Sequence, residues 1–324
     1  MKRLTCLLLA CLTALALTAC GAEKPQEISL FAMDTYMTLA AYGDNADEAL
    51  TATSREINRL EATLSRTIDT SDVSRLNAGE AVEVQPETRA LLERALTLSD
   101  ETGGTFDMTV APLVALWGIT SDAPRVPSQE EIDALLPLVG GAHVHMDEAV
   151  TLDAGCAVDL GGIAKGYVGD EMRKVLKKEG VTSAVINLGG NIVTVGTKPD
   201  GSEYTIGIEK PFSDRQEIIG RTHIGEGTVV TSGIYERQFE YKGKRYHHIL
   251  SPKTGYPVDT DLEAVSLVTT KNSSMDTDAM STICLMKGTK AAKKFIDSQK
   301  GIEAAFYGKD DKTSTTEGMD FEAE

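Results

Sequence analysis

The sequence predicts an α+β fold, with strands in antiparallel or mixed sheets and helices packed against them. Helix-like spacing of apolar residues is concentrated at 46–62, 86–102 and 163–179. Residues 183–240 instead contain short β-prone runs divided by Gly, Asp and Pro, which is typical of an antiparallel meander. Because helices and strands are partly segregated along the chain, an α+β fold fits better than a regular βαβ array.

The first predicted elements are a strand region and a long helix. Residues 28–42 predict one strand, or two strands with a bend at Met33-Asp34. In residues 46–62, apolar residues recur at near-helical spacing with charged residues between them, which predicts a helix.

Three further helices carry recognisable start or stop signals. The helix at 86–102 begins with Pro86 and is closed by two glycines. Another begins at Ser128, where Glu131 completes a capping box. The helix at 163–179 ends at Gly180.

The remaining predictions are short. Strands are predicted at 184–188, 192–195, 204–208, 227–231 and 302–307, helices at 276–286 and 290–299, and a turn at 312–317.

The N-terminus predicts export. Lys2 and Arg3 precede an apolar run that ends in Leu17-Thr18-Ala19-Cys20, as in a secretory signal. The run is shorter than the roughly 20 apolar residues of a transmembrane helix. A Cys after Leu-x-Ala resembles a bacterial lipobox, and the alternative is an ordinary signal peptide with a nearby Cys. We therefore expect a signal peptide at 1–19, a lipidated tether at 20–27 beginning with Cys20, and a folded domain at 28–324, with the protein anchored to the cell membrane.

The charge of the chain limits its partners. The formal net charge is −17, and loss of Lys2 and Arg3 with the signal makes it about −19. Such an acidic chain is not expected to bind nucleic acid. An anionic ligand would need a local device, such as a metal ion or a helix N-terminus. Cys156 and Cys284 lie among apolar or small residues, which favours two buried thiols over a disulfide.

The first candidate site is Val158–Gly166, where an apolar strand is followed by Asp159, two glycines and a predicted helix. Free amides at the helix start and Lys165 in its first turn suit a phosphate or pyrophosphate. A strand-to-helix turn that needs glycine only for packing is an equally good interpretation.

The second candidate is Asp276–Thr282. Asp278 and Thr282 are four residues apart and share a helix face. A carboxylate and a hydroxyl suit an oxygen-seeking cation such as Mg²⁺. On this segment alone, a helix cap at Asp276 or Asp278 and a Thr282 hydroxyl bonded to a backbone carbonyl are the favoured interpretation.

Two other segments are ambiguous by themselves. His247 and His248 suggest a base or a metal ligand, but strand alternation places the two rings on opposite faces, which leaves one of them free to face solvent. Thr105-Phe106-Asp107 fits a loop at a cleft. Trp117 is expected in the core rather than against a ligand.

Taken in order, these segments resemble the ApbE family, also called Ftp, the FAD:protein FMN transferases. The resemblance runs from about Met33 to Ile302. Its pieces are Met33–Thr35, Leu64–Ser65 through Ser74–Asn77, Phe106–Gly118, Val158–Gly166, Asn187–Asn191, His248–Pro257 and Thr277–Thr282. It implies an ApbE-like, T-fold-related architecture.

The resemblance also implies site residues. It places Mg²⁺ on Asp278 and Thr282, with backbone oxygens near Gly162 and Ser281. It places FAD contacts on Met33, Thr105, Phe106, Asp107, Asp159, Lys165 and Leu250. Family members often carry a Tyr just after Leu64-Ser65, whereas this chain has Thr67. A stacking contact is then either absent or supplied elsewhere, with Tyr256 as one candidate.

The implied reaction is Mg²⁺-dependent transfer of FMN from FAD to a Thr hydroxyl of an acceptor protein, with release of AMP. Lys165 is a second cation and His248 a candidate base. The implied partners are flavoproteins of membrane redox complexes that carry a Ser/Thr-rich motif. Two alternatives stay open, namely an FAD pyrophosphatase with water as acceptor, and a non-catalytic FAD-binding lipoprotein.

Overall fold

The computed structural model describes residues 24–213 and 217–324. The predicted signal peptide and Cys20 lie outside these residues. Within the described ranges, none of the helices combines the length and apolar character needed to cross a membrane.

Helices form where apolar residues recur every three or four positions. They are α1 (Ala46–Leu64), α2 (Asp72–Asn77), α3 (Pro86–Glu101), α4 (Ala111–Trp117), α5 (Gln129–Leu135), α6 (Ala164–Lys178), α7 (Ser274–Lys287) and α8 (Thr289–Asp297). Every predicted helix is confirmed to within a few residues. The capping box of Ser128 and Glu131 opens α5 as expected.

The strands follow the β-prone runs and several segments between them. They are β1 (Gln26–Ala32), β2 (Thr35–Ala41), β3 (Val144–Met146), β4 (Val150–Leu152), β5 (Ala184–Asn187), β6 (Asn191–Val195), β7 (Tyr204–Glu209), β8 (Ile218–Ile224), β9 (Gly227–Gly233), β10 (Gln238–Tyr241), β11 (Lys244–His247), β12 (Leu262–Thr269), β13 (Ile302–Gly308), β14 (Thr313–Thr315) and β15 (Glu322–Ala323).

In the described part of the chain, eight strands form an antiparallel sheet in the order β1-β2-β5-β6-β9-β12-β13-β14. Its register places Ile28, Leu39, Ile186 and Val193 in one row across four strands. Alternation along each strand turns this row toward one face. The α+β prediction is therefore confirmed.

One face of this sheet is covered by helices. Ile57 of α1 and Met172 of α6 are fully buried with Leu39, Ile186 and Ile283 of α7 in one apolar cluster. Packing among these helices places the N-terminus of α6 against the first turns of α7, and this contact positions the candidate site.

The opposite face is partly covered by a second sheet, of order β15-β8-β7 within the described residues. Tyr204, Ile206 and Ile224 of this sheet pack on Val229 and Ile192 of the large one. The run at 204–208 is thus a strand, as predicted, but it belongs to a separate sheet rather than continuing one meander.

Other differences concern short elements. The prediction of a turn at 312–317 is wrong for residues 313–315, which form strand β14 and pair with β13. The region 28–42 is two strands with Met33-Asp34 between them, which was one of the two alternatives. Cys156 and Cys284 are buried free thiols, and Trp117 is fully buried, as expected.

Candidate active site

A cavity of about 570 Å³ lies between the β1–β2 turn and the N-terminus of α6. Its volume is within the usual range of small-molecule sites, roughly 300–1,000 Å³. Its walls include parts of residues 33–36, 159–165, 229–237, 248–252 and 278–286. Segments that are far apart in the sequence therefore meet around one space.

The β1–β2 turn at the cavity rim is held in an unusual conformation. Met33 and Asp34 have φ values of 50° and 57°, in the left-handed region. The Met33 amide donates to Glu61 Oε1 at 2.7 Å, and Arg237 Nη2 donates to the Asp34 carbonyl at 3.2 Å. These contacts fix a conformation that residues other than glycine adopt only at a cost in energy.

The glycines before and within α6 have different roles. A Cβ on Gly166 would lie 2.2 Å from the Ser274 carbonyl oxygen and 2.7 Å from Asp278 Cβ. Gly166 therefore permits close packing of α6 on α7, whereas Gly162 lines the cavity. The packing interpretation of this segment therefore applies to Gly166, and the ligand-binding interpretation applies to Gly162.

Asp278 lies where these two helices touch, and its side chain reaches the cavity wall. The residue is 3% exposed, and its Oδ2 accepts the Gly166 amide at 2.8 Å. In the described residues, no hydrogen bond reaches its Oδ1. Burial raises the pKa of Asp278, while Lys165 and the Gly166 amide act in the opposite direction. Burial therefore favours the neutral form of Asp278, and positive charge close to it favours the carboxylate.

Thr282 stands beside Asp278 and Gly162. Its Oγ1 is 3.9 Å from the position that a Cβ on Gly162 would occupy, and all three residues line the cavity. Ser281 lies behind them, where its hydroxyl donates to the Asp278 carbonyl at 2.7 Å and contacts Ser232 Oγ. The favoured interpretation of Thr282 as a purely structural residue does not account for its place in the cavity wall.

Lys165 supplies positive charge to the cavity. It lies in the first turn of α6, is half-buried, and makes no ion pair shorter than 4 Å with the residues that the structure describes. Its charge acts on Asp278, Glu236 and His248. The ammonium group is therefore available to an anionic ligand.

The tandem histidines have separate environments. His248 lines the cavity, and its Nδ1 is 3.1 Å from the Arg237 carbonyl oxygen. Because a carbonyl only accepts, Nδ1 carries the proton and Nε2 keeps a lone pair. Burial lowers the pKa of His248 to about 3, so the ring is neutral near pH 7. His247 is not solvent-exposed but buried, with Nε2 against the Val258 carbonyl at 3.1 Å.

Several charged residues of the cavity wall were not identified from the sequence, and Glu236 is one of them. Its side chain is accessible from the cavity but surrounded by protein, and it accepts the Gly233 amide at 3.2 Å. This enclosure raises the pKa of Glu236, against the effect of Lys165. In sequence, Glu236 is one charge in a polar stretch, and nothing distinguishes it from a charge on the outer surface.

Arg66 is another charged residue of the cavity wall that the sequence did not single out. It lines the cavity with Nε 3.5 Å from Asp159 Oδ2, and its Nη2 donates to Thr120 Oγ1 at 2.7 Å. The neighbouring Thr67 is exposed and is not part of the cavity wall. Tyr256 does not line the cavity either, since it packs edge-on against Trp117 with 5.6 Å between ring centroids. The structure therefore does not bring the candidate Tyr256 to this site.

Most of the residues named from sequence meet in the cavity. Those in its lining are Met33, Phe106, Asp107, Asp159, Gly162, Lys165, His248, Leu250, Asp278 and Thr282. Thr105 is outside the lining, with its hydroxyl donating to the Thr102 carbonyl at 2.9 Å. Asp107 is partly structural, because its Oδ1 accepts from the Thr109 amide and hydroxyl.

The oxygen atoms around Asp278 are not arranged like a common protein metal centre. Across residues 24–213 and 217–324, no group of three or more His, Cys, Asp or Glu side chains is arranged to hold a metal. A metal on this wall would instead take one carboxylate together with hydroxyl and carbonyl oxygens.

Comparison with known proteins agrees with this geometry. The sequence profile of the ApbE family matches residues 33–306. The FAD:protein FMN transferase of Klebsiella pneumoniae (strain 342) is 38% identical over 242 residues, which are 74% of each chain. The protein of the same name from Treponema pallidum (strain Nichols) is 33% identical over 283 residues, 81% of this chain and 78% of the relative.

Solved structures show the same relationship. The crystal structure of the ApbE protein of Thermotoga maritima has a TM-score of 0.83 and 31% identity, covering 91% of this chain and 97% of that one. The flavinyl transferase ApbE of Pseudomonas stutzeri, in its apo form, has a TM-score of 0.79 and 28% identity, covering 93% and 97%. With the profile match across most of the chain, these similarities show that the protein belongs to the ApbE family.

Proposed function

We propose that this protein transfers FMN from FAD to a Thr hydroxyl of an acceptor protein and releases AMP. The relatives named FAD:protein FMN transferase make the chain a transferase of flavin groups. The observation that carries the finer proposal is that Lys165, Asp278 and Thr282 line one cavity in a chain of formal charge −17. In a protein this acidic, a pyrophosphate needs nearby positive charge to offset the repulsion from the carboxylates.

The pyrophosphate of FAD fits the start of α6. Ile163 occupies the N-cap position without a side-chain hydrogen bond to the helix. The Ala164 and Gly166 amides donate to the Leu160 carbonyl and to Asp278 Oδ2, so among the described residues the Lys165 amide is the one in this turn that remains for an anion. Gly161 and Gly162 let a ligand approach the backbone there, and Lys165 adds a full positive charge.

The neighbouring oxygens fit Mg²⁺. Asp278 provides a carboxylate with Oδ1 turned away from its Gly166 bond, Thr282 provides a hydroxyl, and Gly162 provides a carbonyl oxygen; Mg²⁺ prefers such ligands. When bound, Mg²⁺ would neutralise phosphate charge and make phosphorus more electrophilic. The backbone oxygen of Ser281, expected from the family resemblance, remains a prediction.

The reaction is a phosphoryl transfer with a protein hydroxyl as acceptor. The Thr oxygen attacks the FMN-side phosphorus, the bond from that phosphorus to the bridging oxygen breaks, and AMP leaves with the electron pair. His248 Nε2 is the lone pair that would accept the hydroxyl proton, because its Nδ1–H is held by the Arg237 carbonyl. Burial alone makes His248 a weak base, and the phosphate charges of bound FAD would raise its pKa. Lys165 stabilises the charge on the transferred phosphate.

The direct test is to incubate the purified protein with FAD, Mg²⁺ and a candidate acceptor that carries a Thr in a Ser/Thr-rich motif. We expect an FMN-sized mass increment on the acceptor and one AMP for each FMN transferred. The same acceptor with Thr→Val is the matched control.

The same assay separates the alternative functions. Free FMN and AMP without a modified acceptor would identify water as acceptor and therefore an FAD pyrophosphatase. Tightly bound FAD that is never consumed would indicate a flavin carrier. Either result would contradict the transferase proposal.

We further propose that the protein is exported and anchored to the membrane through lipid on Cys20. The proposal rests on the Leu17–Cys20 motif, which lies outside the described residues. Its acceptors would then be membrane flavoproteins on the same side.

A further inference from the structure

The β1–β2 hairpin carries two exposed aromatic side chains on one face. Phe31 and Tyr36 are 66% and 69% exposed, which makes them the most exposed large apolar side chains of the described residues. They are directly paired across the antiparallel strands, so both point to the same face of the sheet and lie side by side. Tyrosine and phenylalanine are enriched at protein interfaces relative to the rest of the surface. The pair therefore has the character of a contact surface.

This face of the hairpin is continuous with the cavity. The next row of directly paired residues on the same face crosses five strands at Ser29, Thr38, Asn187, Ile192 and Val229. The last three residues of this row line the cavity, and so does Tyr36. Because Tyr36 is both part of the lining and largely exposed, the cavity opens to the surface beside it. Phe31 lies outside the lining, on β1, the first strand in the sheet order.

Packing within the fold does not account for the aromatic pair. Ile206 and Ile224 of the second sheet pack over Ile192 and Val229 in the middle of this face. Among the described residues, the apolar clusters include neither aromatic residue of the hairpin. The hydrogen bonds that hold the β1–β2 turn also hold the ends of the strands that carry the pair. The hairpin thus presents both rings at the cavity opening without using them in the core.

A protein substrate needs a surface outside the cavity. A space of about 570 Å³ accommodates a small molecule rather than a folded protein, so only the segment around the modified Thr can enter it. The neighbouring part of the acceptor must then lie on the enzyme beside the opening. Specific protein interfaces usually bury roughly 800 Å² on each partner, so contacts beyond the cavity are expected. An exposed apolar face that adjoins the opening meets this requirement.

We propose that Phe31 and Tyr36 form a docking surface for the acceptor protein, where they contact apolar side chains next to the modified Thr. The inference rests on the proposed function, because it takes the substrate to be a protein whose Thr enters this cavity. Phe31 acts on acceptor binding alone, since it lies outside the lining. A membrane surface is the alternative occupant of this face. We favour the protein, because a bilayer resting on Tyr36 would cover the opening that the acceptor must enter.

The test compares kcat/KM for the acceptor of the direct assay, with full-length protein in detergent solution at saturating FAD and Mg²⁺. Phe31→Thr should lower kcat/KM roughly tenfold through a higher KM, as for loss of an aromatic anchor from an interface. Threonine keeps the strand propensity of the position, so the melting temperature and the dissociation constant for FAD should match those of wild type. Phe31→Leu should stay within about threefold of wild type, because it keeps an apolar side chain.

Two further variants complete the comparison. Tyr36→Thr should raise the KM for the acceptor by a similar factor, and its dissociation constant for FAD is measured separately because Tyr36 lines the cavity. Tyr241→Thr is the matched control, since Tyr241 is a 46% exposed aromatic residue on β10, outside the cavity lining. Its kinetic constants should equal those of wild type.

Each alternative gives a different result. Unchanged kcat/KM in Phe31→Thr and Tyr36→Thr, or an equal loss in Tyr241→Thr, would remove the hairpin from acceptor binding. A loss that occurs only when enzyme and acceptor share vesicles of phosphatidylethanolamine and phosphatidylglycerol, and not in detergent, would assign the face to the membrane. A wild-type dimer that Phe31→Thr dissociates would assign it to a second copy of the chain. Any of these results overturns the docking proposal while wild-type transfer stands; a wild type that modifies no acceptor overturns the proposed function.

Discussion

At the scale of single residues, Asp278 is the group on which the proposed chemistry depends most. The cavity belongs to an acidic protein, and FAD adds two phosphate charges. We expect Asp278→Ala to abolish FMN transfer and EDTA to do the same to the wild type. Thr282→Ala should lower transfer less, because water can replace a neutral ligand. The measurement is the rate of FMN incorporation into the acceptor.

Asp278→Asn is the informative control for this prediction. Its amide oxygen can still accept the Gly166 amide, so the contact between α6 and α7 is kept while the charge is lost. Near-normal transfer by Asp278→Asn, or indifference of transfer to chelation, would contradict a metal-assisted mechanism.

Lys165 should contribute to binding without contributing to the fold. Its ammonium makes no ion pair within the described residues, so Lys165→Ala should weaken FAD binding and slow turnover at an unchanged melting temperature. Lys174→Ala on the same helix is the control, because Lys174 is exposed and pairs with Glu171 on its own helix. Unchanged FAD affinity and turnover in Lys165→Ala would exclude Lys165 from the site.

His247 should make stability depend on pH. Burial lowers its pKa to about 4, against an ordinary value of 6.5, so the unfolded chain binds more protons between these values. Stability contributed by the neutral ring is therefore present above pH 6.5 and is lost as the pH falls toward 4. At pH 5 the loss is about 2 kcal/mol.

The measurement is urea unfolding of wild type and His247→Gln at pH 8 and pH 5. The difference in unfolding free energy between the two proteins should change by about that amount in favour of the variant at pH 5. A difference that is constant with pH would show that His247 keeps an ordinary pKa in the folded protein.

At the scale of elements, the contact between α6 and α7 places the site. Gly166→Ala would put a methyl group 2.2 Å from the Ser274 carbonyl oxygen, so the helices must separate. We expect a loss of unfolding free energy of about 1–3 kcal/mol and a loss of transfer, because Asp278 moves with α7. An open helical position would instead gain up to about 1 kcal/mol from this substitution, so a stabilised variant would contradict the close contact.

The long elements were predictable because their patterns are local. In helices such as α1 and α3, apolar residues recur over several turns, and residues that favour helix ends mark where such helices begin or end. The short helices α2 and α4 and the strands β10 and β12 were not predicted, and the strand expected around His247 ends there as β11. The separate sheet that contains β7 and β8 was also missed, because the sequence of a strand does not show which strand it pairs with.

The site was predictable only in part. The lining residues named beforehand came from the resemblance to a family, and single segments left Asp278 and Thr282 with a structural interpretation. Arg66 and Glu236 were missed because a charged residue in a polar stretch has the same pattern whether it faces solvent or an enclosed cavity. Thr105 lies outside the lining because its hydroxyl is bonded to the preceding turn.

At the scale of the whole molecule, the N-terminal motif predicts where the enzyme works. Cys20→Ala should move the protein from the membrane fraction to the soluble fraction, because two acyl chains are needed for stable anchoring. The mass of the mature wild type should include a diacylglycerol on Cys20. A variant that stays in the membrane fraction, with no lipid on the wild type, would make the lipobox prediction wrong.

The cavity draws its walls from both ends of the folded chain, with Met33 near the beginning and Thr282 near the end. A polypeptide that emerges N-terminus first, from a ribosome or across a membrane, cannot assemble this cavity until α7 has also emerged. If the chain crosses the membrane unfolded, as the proposed export implies, it cannot carry a bound flavin in transit. For an exported protein, FAD must then be supplied in the destination compartment, and the rate of modification there depends on that supply.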